Sequence, residues 1–334
     1  MPGSDLDAPA SSGSPWRVAL LAGLAVLLAC LGLVAGRVLW FDPYWVWRQT
    51  PPWLAETGGA NRLIDRQTRR AKTLQALSRD YEIALVGSST TYHGLDPADA
   101  DPPFRGRIYN AGISGILAGE LPAIAAIVAS RPRARRVMIG LDYYMVSRTD
   151  RAVRLDPALE TVLGRLGARL GSVIGRPFIE DAWPSEVAAK TDPGSWTYDG
   201  FRVTPPLSPD ETRLNAAIRR RTTVGLVPAT YAGLERALDI LAGREVVLYL
   251  APVNPAQSRL LDELGLLGDL ERWRADMRRL AESRRLPFHD LTALGRDAPF
   301  DPDKGSTAAW LDNLHYTPVI GRRVLAALGL RAAP

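Results

Sequence analysis

Two short motifs, far apart in the chain, carry residue types that could do nucleophilic chemistry. Gly87-Ser88-Ser89 follows directly on the apolar run Ile83-Ala84-Leu85-Val86, and Asp312-Asn313-Leu314-His315 lies near the C-terminus. A serine hydroxyl is a weak nucleophile until a base takes its proton. The chain has 3 histidines in 334 residues, and one of them closely follows an aspartate. That aspartate can accept the Nδ1 proton of His315, fix its tautomer and leave Nε2 to face the serine. The pair points to a serine esterase or acyltransferase, with a serine of Gly87-Ser88-Ser89 as nucleophile, His315 as base and Asp312 as the acid that orients it. Each motif alone has a plainer reading. Gly-Ser-Ser after a strand is a common turn, and Asp-x-x-His before a helix is more often a cap followed by a surface histidine.

These motifs need elements that bring them together. The apolar run at 83–86 reads as a buried strand, preceded by a helix over 62–79 that Asn61 would cap. A loop over 96–103, a short strand at 107–109, a helix over 117–129 and a second buried strand at 137–141 continue the pattern. The rhythm resumes with a helix over 231–241, a strand at 246–250, a helix over 267–283, a strand at 286–289 and a last helix over 318–328. This alternation predicts an α/β fold with a parallel sheet covered on both faces. Functional groups of such a sheet collect at the carboxyl ends of its strands, and Gly87-Ser88-Ser89 sits at one. The middle, 142–228, breaks the rhythm with helical pieces at 157–174 and 209–221 around a Trp-, Pro- and Gly-rich stretch at 183–206. Its apolar residues are too dispersed for a second core, so it reads as a helical and loop insertion over the sheet.

Composition bounds the partners. With 46% apolar residues the chain can fill a globular core, and its net charge of +5 comes from scattered arginines. Only Lys72, Lys190 and Lys304 of the 41 basic residues are lysines. The arginine clusters alternate with helical apolar positions and read as solvated helix faces, not a nucleic-acid groove. Cys30 is the sole cysteine, which excludes an intramolecular disulfide and a Cys-rich metal site; no metal or cofactor is expected.

Residues 1–15 are small and polar and read as a flexible tail; 16–41 read as a transmembrane anchor, and 42–60 as a juxtamembrane connector. The stretch from Val18 to Gly36 carries no charge, and about 20 helical residues cross a hydrocarbon layer of roughly 30 Å. Trp16 before it and Trp40, Phe41, Tyr44, Trp45 and Trp47 after it match the aromatic belts of a bilayer interface. A cleaved signal peptide would have a shorter apolar core. A lipoprotein site at Leu27-Leu28-Ala29-Cys30 would be followed by polar sequence, which is not the case here. Arg17 precedes the span while Arg37 and Arg48 follow it, so charge bias does not favour an exported C-terminus.

A third block, Asn110-Ala111-Gly112-Ile113-Ser114-Gly115, follows the second strand. With it the chain resembles the SGNH/GDSL hydrolase superfamily over residues 83–141 and 246–328, leaving the insertion outside. The resemblance implies the SGNH hydrolase fold, a flavodoxin-like parallel sheet with helices on both faces, making 61–334 one domain. It implies Ser89 as nucleophile, Asp312 and His315 as its partners, and the Ser89 and Gly115 amides as the oxyanion hole. Two positions depart from the family pattern. Ser88 stands where the family usually has aspartate, as in the Gly-Ser-Ser of membrane-anchored proteins of teichoic-acid D-alanylation. Gly140-Leu141-Asp142-Tyr143 stands where Gly-x-Asn-Asp is expected, and an ionised aspartate cannot donate to an oxyanion; one lost donor costs about 10² to 10³ in rate. Asn254, in Pro252-Val253-Asn254-Pro255, is the candidate replacement; Asp142 would bind a substrate hydroxyl or cap the strand end.

Other residues attract attention for their type. His93, close behind Ser89, is a candidate to line the cleft, although an exposed loop histidine is the plainer reading, and His289 ends a strand beside Asp290. Trp183, Trp196, Tyr198 and Phe201 would form either a sugar-stacking wall or ordinary packing of the insertion.

The resulting expectation is a single-pass protein of the bacterial inner membrane with its catalytic domain in the periplasm or outside. It would remove or transfer an acyl group, acetyl first among the candidates, on an envelope or exported polysaccharide, with a membrane-bound acyltransferase as partner and no nucleic acid. One alternative is a catalytically weak scaffold or binding subunit of an envelope-polysaccharide machine, motivated by Asp142. Another is a cytoplasm-facing, membrane-tethered lipid esterase, motivated by the charge bias.

Overall fold

The structure, a computed structural model, describes residues 15–48, 62–147, 155–182 and 195–332. The expected tail up to residue 14, the later part of the connector, the Asn61 cap and Trp183 lie outside the described residues. The chain is an α/β protein with one long apolar helix at its N-terminal end. That helix, α1 (Pro15–Phe41), is long and apolar enough to cross a membrane, with a mean hydropathy of 2.8 in its most apolar window.

Five strands form a parallel sheet: β1 (Ile83–Val86), β2 (Ile108–Asn110), β3 (Arg136–Leu141), β6 (Glu245–Leu250) and β7 (Phe288–Asp290), in the order β2-β1-β3-β6-β7. The chain winds outwards both ways from β1, so the sheet order reverses between β1 and β3, where a ligand crevice opens in doubly wound sheets. Register pairs Ile83 with Ile108 on one side and with Arg136 on the other, and Leu248 with Phe288 at the far edge.

Side chains alternate across a strand, and both faces of this sheet are buried. Ala84, Val86, Val137, Ile139, Val246 and Leu248 enter one core. It is shared with α5 (Leu121–Ala129), α9 (Tyr231–Ile240) and α11 (Leu267–Ser283), whose Trp273 and Met277 are fully buried. Ile83, Leu85, Met138, Val247 and Tyr249 enter the other core, under α12 (Pro318–Ala327).

Several elements differ from the periodic reading. The expected helix over 62–79 is two helices, α2 (Arg62–Arg66) and α3 (Thr68–Ser78), because Thr68 turns its hydroxyl back onto the Ile64 and Asp65 carbonyls. The helix expected from 117 opens as a 3-10 turn, Ala118–Glu120, ahead of Pro122, which has no N–H to give and constrains Leu121. A short helix α4 (Ser89–Gly94) occupies residues expected to form a loop, and α10 (Pro255–Glu263) follows β6.

The described parts of the 142–228 insertion pack in three places. Helix α6 (Val162–Ile174) packs on α1 and α3, and α7 (Arg176–Asp181) on α1. A two-stranded hairpin, β4 (Ser195–Trp196) with β5 (Arg202–Val203), adjoins β2, where Asp199 O accepts from Asn110 N at 2.8 Å. Helix α8 (Pro209–Thr222) instead lies on the C-terminal loop, where its Thr212 hydroxyl donates to Pro302 O at 2.6 Å. Its start is strongly written: a Ser208/Glu211 capping box, Pro209 in the first turn, and Arg219, Arg220 and Arg221 in the last turn.

Lys72 is fully buried under this hairpin, where it donates to the carbonyls of Asn110 and Gly200 between the rings of Tyr109 and Trp196. Burial drives its pKa well below the usual lysine range.

The two sequence-distant motifs meet where α4 touches α12. A Cβ at Gly321 would lie 1.7 Å from the Gly94 carbonyl oxygen, and one at Gly94 would lie 1.9 Å from the Tyr316 ring. No side chain fits between these backbones. Gly321→Ala is therefore expected to force the helices apart and cost about 1–3 kcal/mol, the range for overpacking a core. Thermal unfolding of the full chain in detergent reads this as a midpoint lowered by several degrees; an unchanged midpoint would show that the contact is loose.

Candidate active site

The site is assembled from the carboxyl ends of β1, β2, β3 and β6 and from the loop before α12. Ser88 leaves β1 in extended conformation and caps α4, its hydroxyl accepting from Thr90 N at 3.2 Å. Ser89 is thereby the first helical residue, held just past the strand end. The C-terminal loop is folded back on itself: Trp310 bridges Tyr316, and Leu311 N donates to His315 O at 2.8 Å. Thr317 then caps α12, with Pro318 at its first position.

This geometry brings Ser89, His315 and Asp312 into one hydrogen-bonded chain. His315 Nε2 lies 2.7 Å from Ser89 Oγ, and His315 Nδ1 lies 2.9 Å from Asp312 Oδ2. A carboxylate only accepts, so Nδ1 carries the proton and Nε2 is left to accept from the serine hydroxyl. Asp312 is buried and its oxygens are fully engaged. Oδ1 accepts from Leu314 N and His315 N, each at 2.8 Å, and Oδ2 also accepts from Asn215 Nδ2 at 3.0 Å. Burial alone would raise this carboxyl, but His315 and the two backbone amides outweigh it and hold Asp312 well below the usual carboxylate range.

The loop after β2 runs alongside the nucleophile turn. Ala111 N donates to Leu85 O at 2.8 Å and Ile113 N to Gly87 O at 2.9 Å. Asn110 is buried and ties this loop to α4: its amide donates to Thr91 O at 2.9 Å and Leu95 O at 2.8 Å, while its Oδ1 accepts from Gly112 N. Gly115 sits on the exposed part of the loop at φ +56, a conformation that favours glycine, and Arg69 holds its carbonyl at 2.9 Å. Among the described residues, no hydrogen bond engages the Ser89 or Gly115 amide.

Asp142 directly follows β3 and is 5% exposed, too buried to meet a substrate hydroxyl in the open. Its carboxylate accepts from the Ser88 hydroxyl and, at 3.0 and 3.1 Å, from the Thr90 hydroxyl. It therefore pins the turn on both sides of Ser89 to the neighbouring strand. Burial raises its pKa, against those two hydroxyls.

Asn254 does not supply the missing donor. Its amide is committed to Asp312 O at 2.9 Å and its Oδ1 caps α10 by accepting from Ala256 N at 2.7 Å, so it braces the loop that carries His315. His93 is not an exposed loop residue. It is a buried part of α4, hydrogen-bonded through Nδ1 to Thr204 Oγ1 at 2.7 Å, with its ring 4.9 Å from that of His315. The aromatic residues of the hairpin serve packing. Trp196 packs on Tyr92 with ring centroids 5.1 Å apart and donates to Asp65, and Phe201 is buried.

Two residues at the site carry no sequence motif. Asn215 is one polar position on the arginine-rich helix α8, and only the packing of that helix on the C-terminal loop reveals it. Tyr144 belongs to a 3-10 turn, Tyr143–Met145, directly after β3. Its hydroxyl is buried beside the side chains of Ser88 and Ser89 and makes no hydrogen bond of standard length and angle among the described residues. Arg219 of α8 lies 5.3 Å from the Tyr144 ring centroid. A cavity of about 30 Å³ is lined by Tyr144, Arg219, Asp142, Asn254 and Leu314. Its position at a strand's carboxyl end was the one signal for Tyr144. The described residues hold no cluster of three or more His, Cys, Asp or Glu side chains able to bind a metal ion.

Comparison of the chain with protein-family models and with curated proteins gives no match in either. The functional reading therefore rests on the geometry and on the motif resemblance.

His93 gives the site a defined acid sensitivity. Burial, then His315 and Arg202, hold its pKa well below the usual histidine range, so the folded ring stays neutral where the unfolded one takes a proton. Stability is then full above about pH 6.5 and falls as the pH drops below it, by at most about 2 kcal/mol at pH 5. Denaturant unfolding at pH 7 and pH 5 should show that loss in the wild type and a smaller one in His93→Gln. Equal losses would assign the acid sensitivity to other groups.

Proposed function

We propose that the protein is a serine-dependent esterase or O-acyltransferase of the SGNH type, working through an acyl-enzyme on Ser89. The single observation that carries this reading is the Ser89–His315–Asp312 chain of hydrogen bonds, at 2.7 and 2.9 Å, at the carboxyl edge of a parallel sheet. The strand order, the shared edge and the block Asn110 to Gly115 agree with the flavodoxin-like SGNH fold that the motifs suggested.

In the first half-reaction Ser89 Oγ attacks the ester carbonyl carbon while its proton passes to His315 Nε2. Asp312 keeps the imidazole in the required tautomer and offsets the charge it gains. The tetrahedral intermediate collapses as the C–O bond to the alcohol breaks, and His315 returns the proton to the leaving oxygen. Water, or the hydroxyl of an acceptor sugar, then gives its proton to His315 and attacks the acyl-serine, which releases Ser89. Hydrolase and transferase differ only in which of these resolves the intermediate.

The oxyanion of each step needs donors, and the amides of Ser89 and Gly115 are not otherwise engaged. Asp142 is spent on Ser88 and Thr90, so Tyr144 takes the third place: a buried, neutral hydroxyl beside the nucleophile with its proton unassigned. Burial raises the Tyr144 pKa, which keeps it a donor through the neutral range. The membrane-spanning length of α1 and the likeness to anchored acyl-transfer accessory proteins support an envelope or exported polysaccharide as substrate. They also support a bacterial inner-membrane location with the catalytic domain outside the cytoplasm, beside a membrane-bound acyltransferase.

Hydrolysis of p-nitrophenyl acetate by the purified full chain tests this. Ser89→Ala and His315→Ala should fall to background, and Tyr144→Phe should lower kcat by about 10² to 10³ with KM little changed, as for loss of one oxyanion donor. A Ser89→Ala variant as fast as wild type would end the acyl-enzyme reading. A Tyr144→Phe variant within about twofold of wild type would remove Tyr144 from the oxyanion hole. A folded wild type with no turnover would favour the scaffold alternative.

A further inference from the structure

Helix α6 presents an apolar face that nothing in the described structure covers. Leu163 and Val162 are 80% and 72% exposed, and Leu166, Leu170 and Ile174 are each at least half exposed. Val162, Leu166, Leu170 and Ile174 recur every four residues, so they drift by about 40° at each step and share one arc of the helix, with Leu163 inside it. The opposite side holds the protein. Arg165 donates to Leu159 O at 2.9 Å and Glu160 O at 3.0 Å, Arg169 donates to Leu77 O, and Ser172 is buried. Polar groups thus face inwards and leucines outwards, the reverse of a helix that lies in water. The helix has no Asp or Glu.

The position of α6 says what covers that face. At 1.5 Å per residue, a hydrocarbon layer of roughly 30 Å takes about 20 residues. Counted from Arg17, at the first polar end of α1, that length reaches Arg37. Arg37 lies where α1 stops being exposed: Val38 and Phe41 are buried in a cluster with Phe178 and Ala182, and Arg37 Nε donates to Ala182 O at 3.2 Å. Helices α6 and α7 pack on α1. Ala168 of α6 packs on the cluster that holds Val38 and Phe41, so α6 lies against the end of α1 that Arg37 marks, the end that also carries the exposed Trp40.

We propose that α6 lies in the interfacial layer of the same bilayer that α1 spans, its Val162–Leu163–Leu166–Leu170–Ile174 face among the lipid acyl chains, as a second membrane contact of the folded domain. The contact reaches the candidate site through α3. Arg169 of α6 is bonded to Leu77 of α3, and Arg69 of α3 holds the Gly115 carbonyl and pairs with Glu120. Two fixed points on the bilayer, in place of one flexible tether, hold the site at a set height and tilt above the lipid.

The full chain in nanodiscs of phosphatidylcholine and phosphatidylglycerol provides the test. In a Cys30→Ser background, nitroxide labels at Leu163→Cys, Leu166→Cys and Leu170→Cys are compared with a label at Arg221→Cys, an exposed position on α8. Power-saturation EPR should find the three α6 labels open to oxygen and shielded from the water-soluble Ni(II) chelate, and the Arg221 label the reverse. Three α6 labels as open to the chelate as the Arg221 label would overturn the proposal by placing the helix in water. Labels immobile and closed to both agents would also overturn it, by showing a protein partner or a second copy on that face.

Discussion

The structure turns on the approach of two backbones, at Gly94 and Gly321, which no side chain could separate. One belongs to the helix that begins with Ser89, the other to the helix that follows His315. Because they touch, residues 226 apart in the chain share a hydrogen bond of 2.7 Å. Everything else at the site serves to keep those two helices in register. Asn110 clamps α4 to the loop beyond β2, Asp142 pins the turn before it to β3, and Asn254 braces the loop before α12 from β6. Each is a buried polar group with its bonds made, the condition under which such groups rigidify a site instead of weakening it.

Asp142 shows how a departure from a motif can be informative. At the end of β3 a carboxylate cannot donate to an oxyanion, but it can accept from two hydroxyls at once, and Ser88 and Thr90 flank the nucleophile with those hydroxyls. Ser88 and Asp142, the two positions that depart from the motifs the chain otherwise resembles, are thus partners in one contact. The donor function lost at Asp142 has a candidate two residues on, in the buried hydroxyl of Tyr144.

Much of this was legible in the sequence for physical reasons. The buried strands β1, β3 and β6 are apolar runs, with Arg136 and Glu245 only at the starts of the last two, and α11 was placed at its observed bounds by its 3.6-residue period. Gly87-Ser88-Ser89, Asp312 and His315 were singled out by residue type and spacing, and the motif resemblance then chose Ser89 over Ser88. Helix α4 was not, because Ser-Thr-Thr-Tyr-His-Gly has weak helix propensity and is held by its cap and by Asn110. For the same reason His93 read as an exposed loop residue, although it is buried against His315. Asn215 and Tyr144 are placed by tertiary packing, which leaves no periodic trace. The leucines of α6 read as ordinary helix periodicity, and only their outward direction beside α1 gave them a role.

The central claim is that Ser89 is a nucleophile primed by His315 and Asp312. Reaction of the full chain with a fluorophosphonate, followed by peptide mass spectrometry, tests it most directly. The account predicts one stoichiometric adduct on Ser89, absent from Ser89→Ala and greatly slowed in His315→Ala. A folded wild type that takes no label, or takes it on another residue, would contradict it.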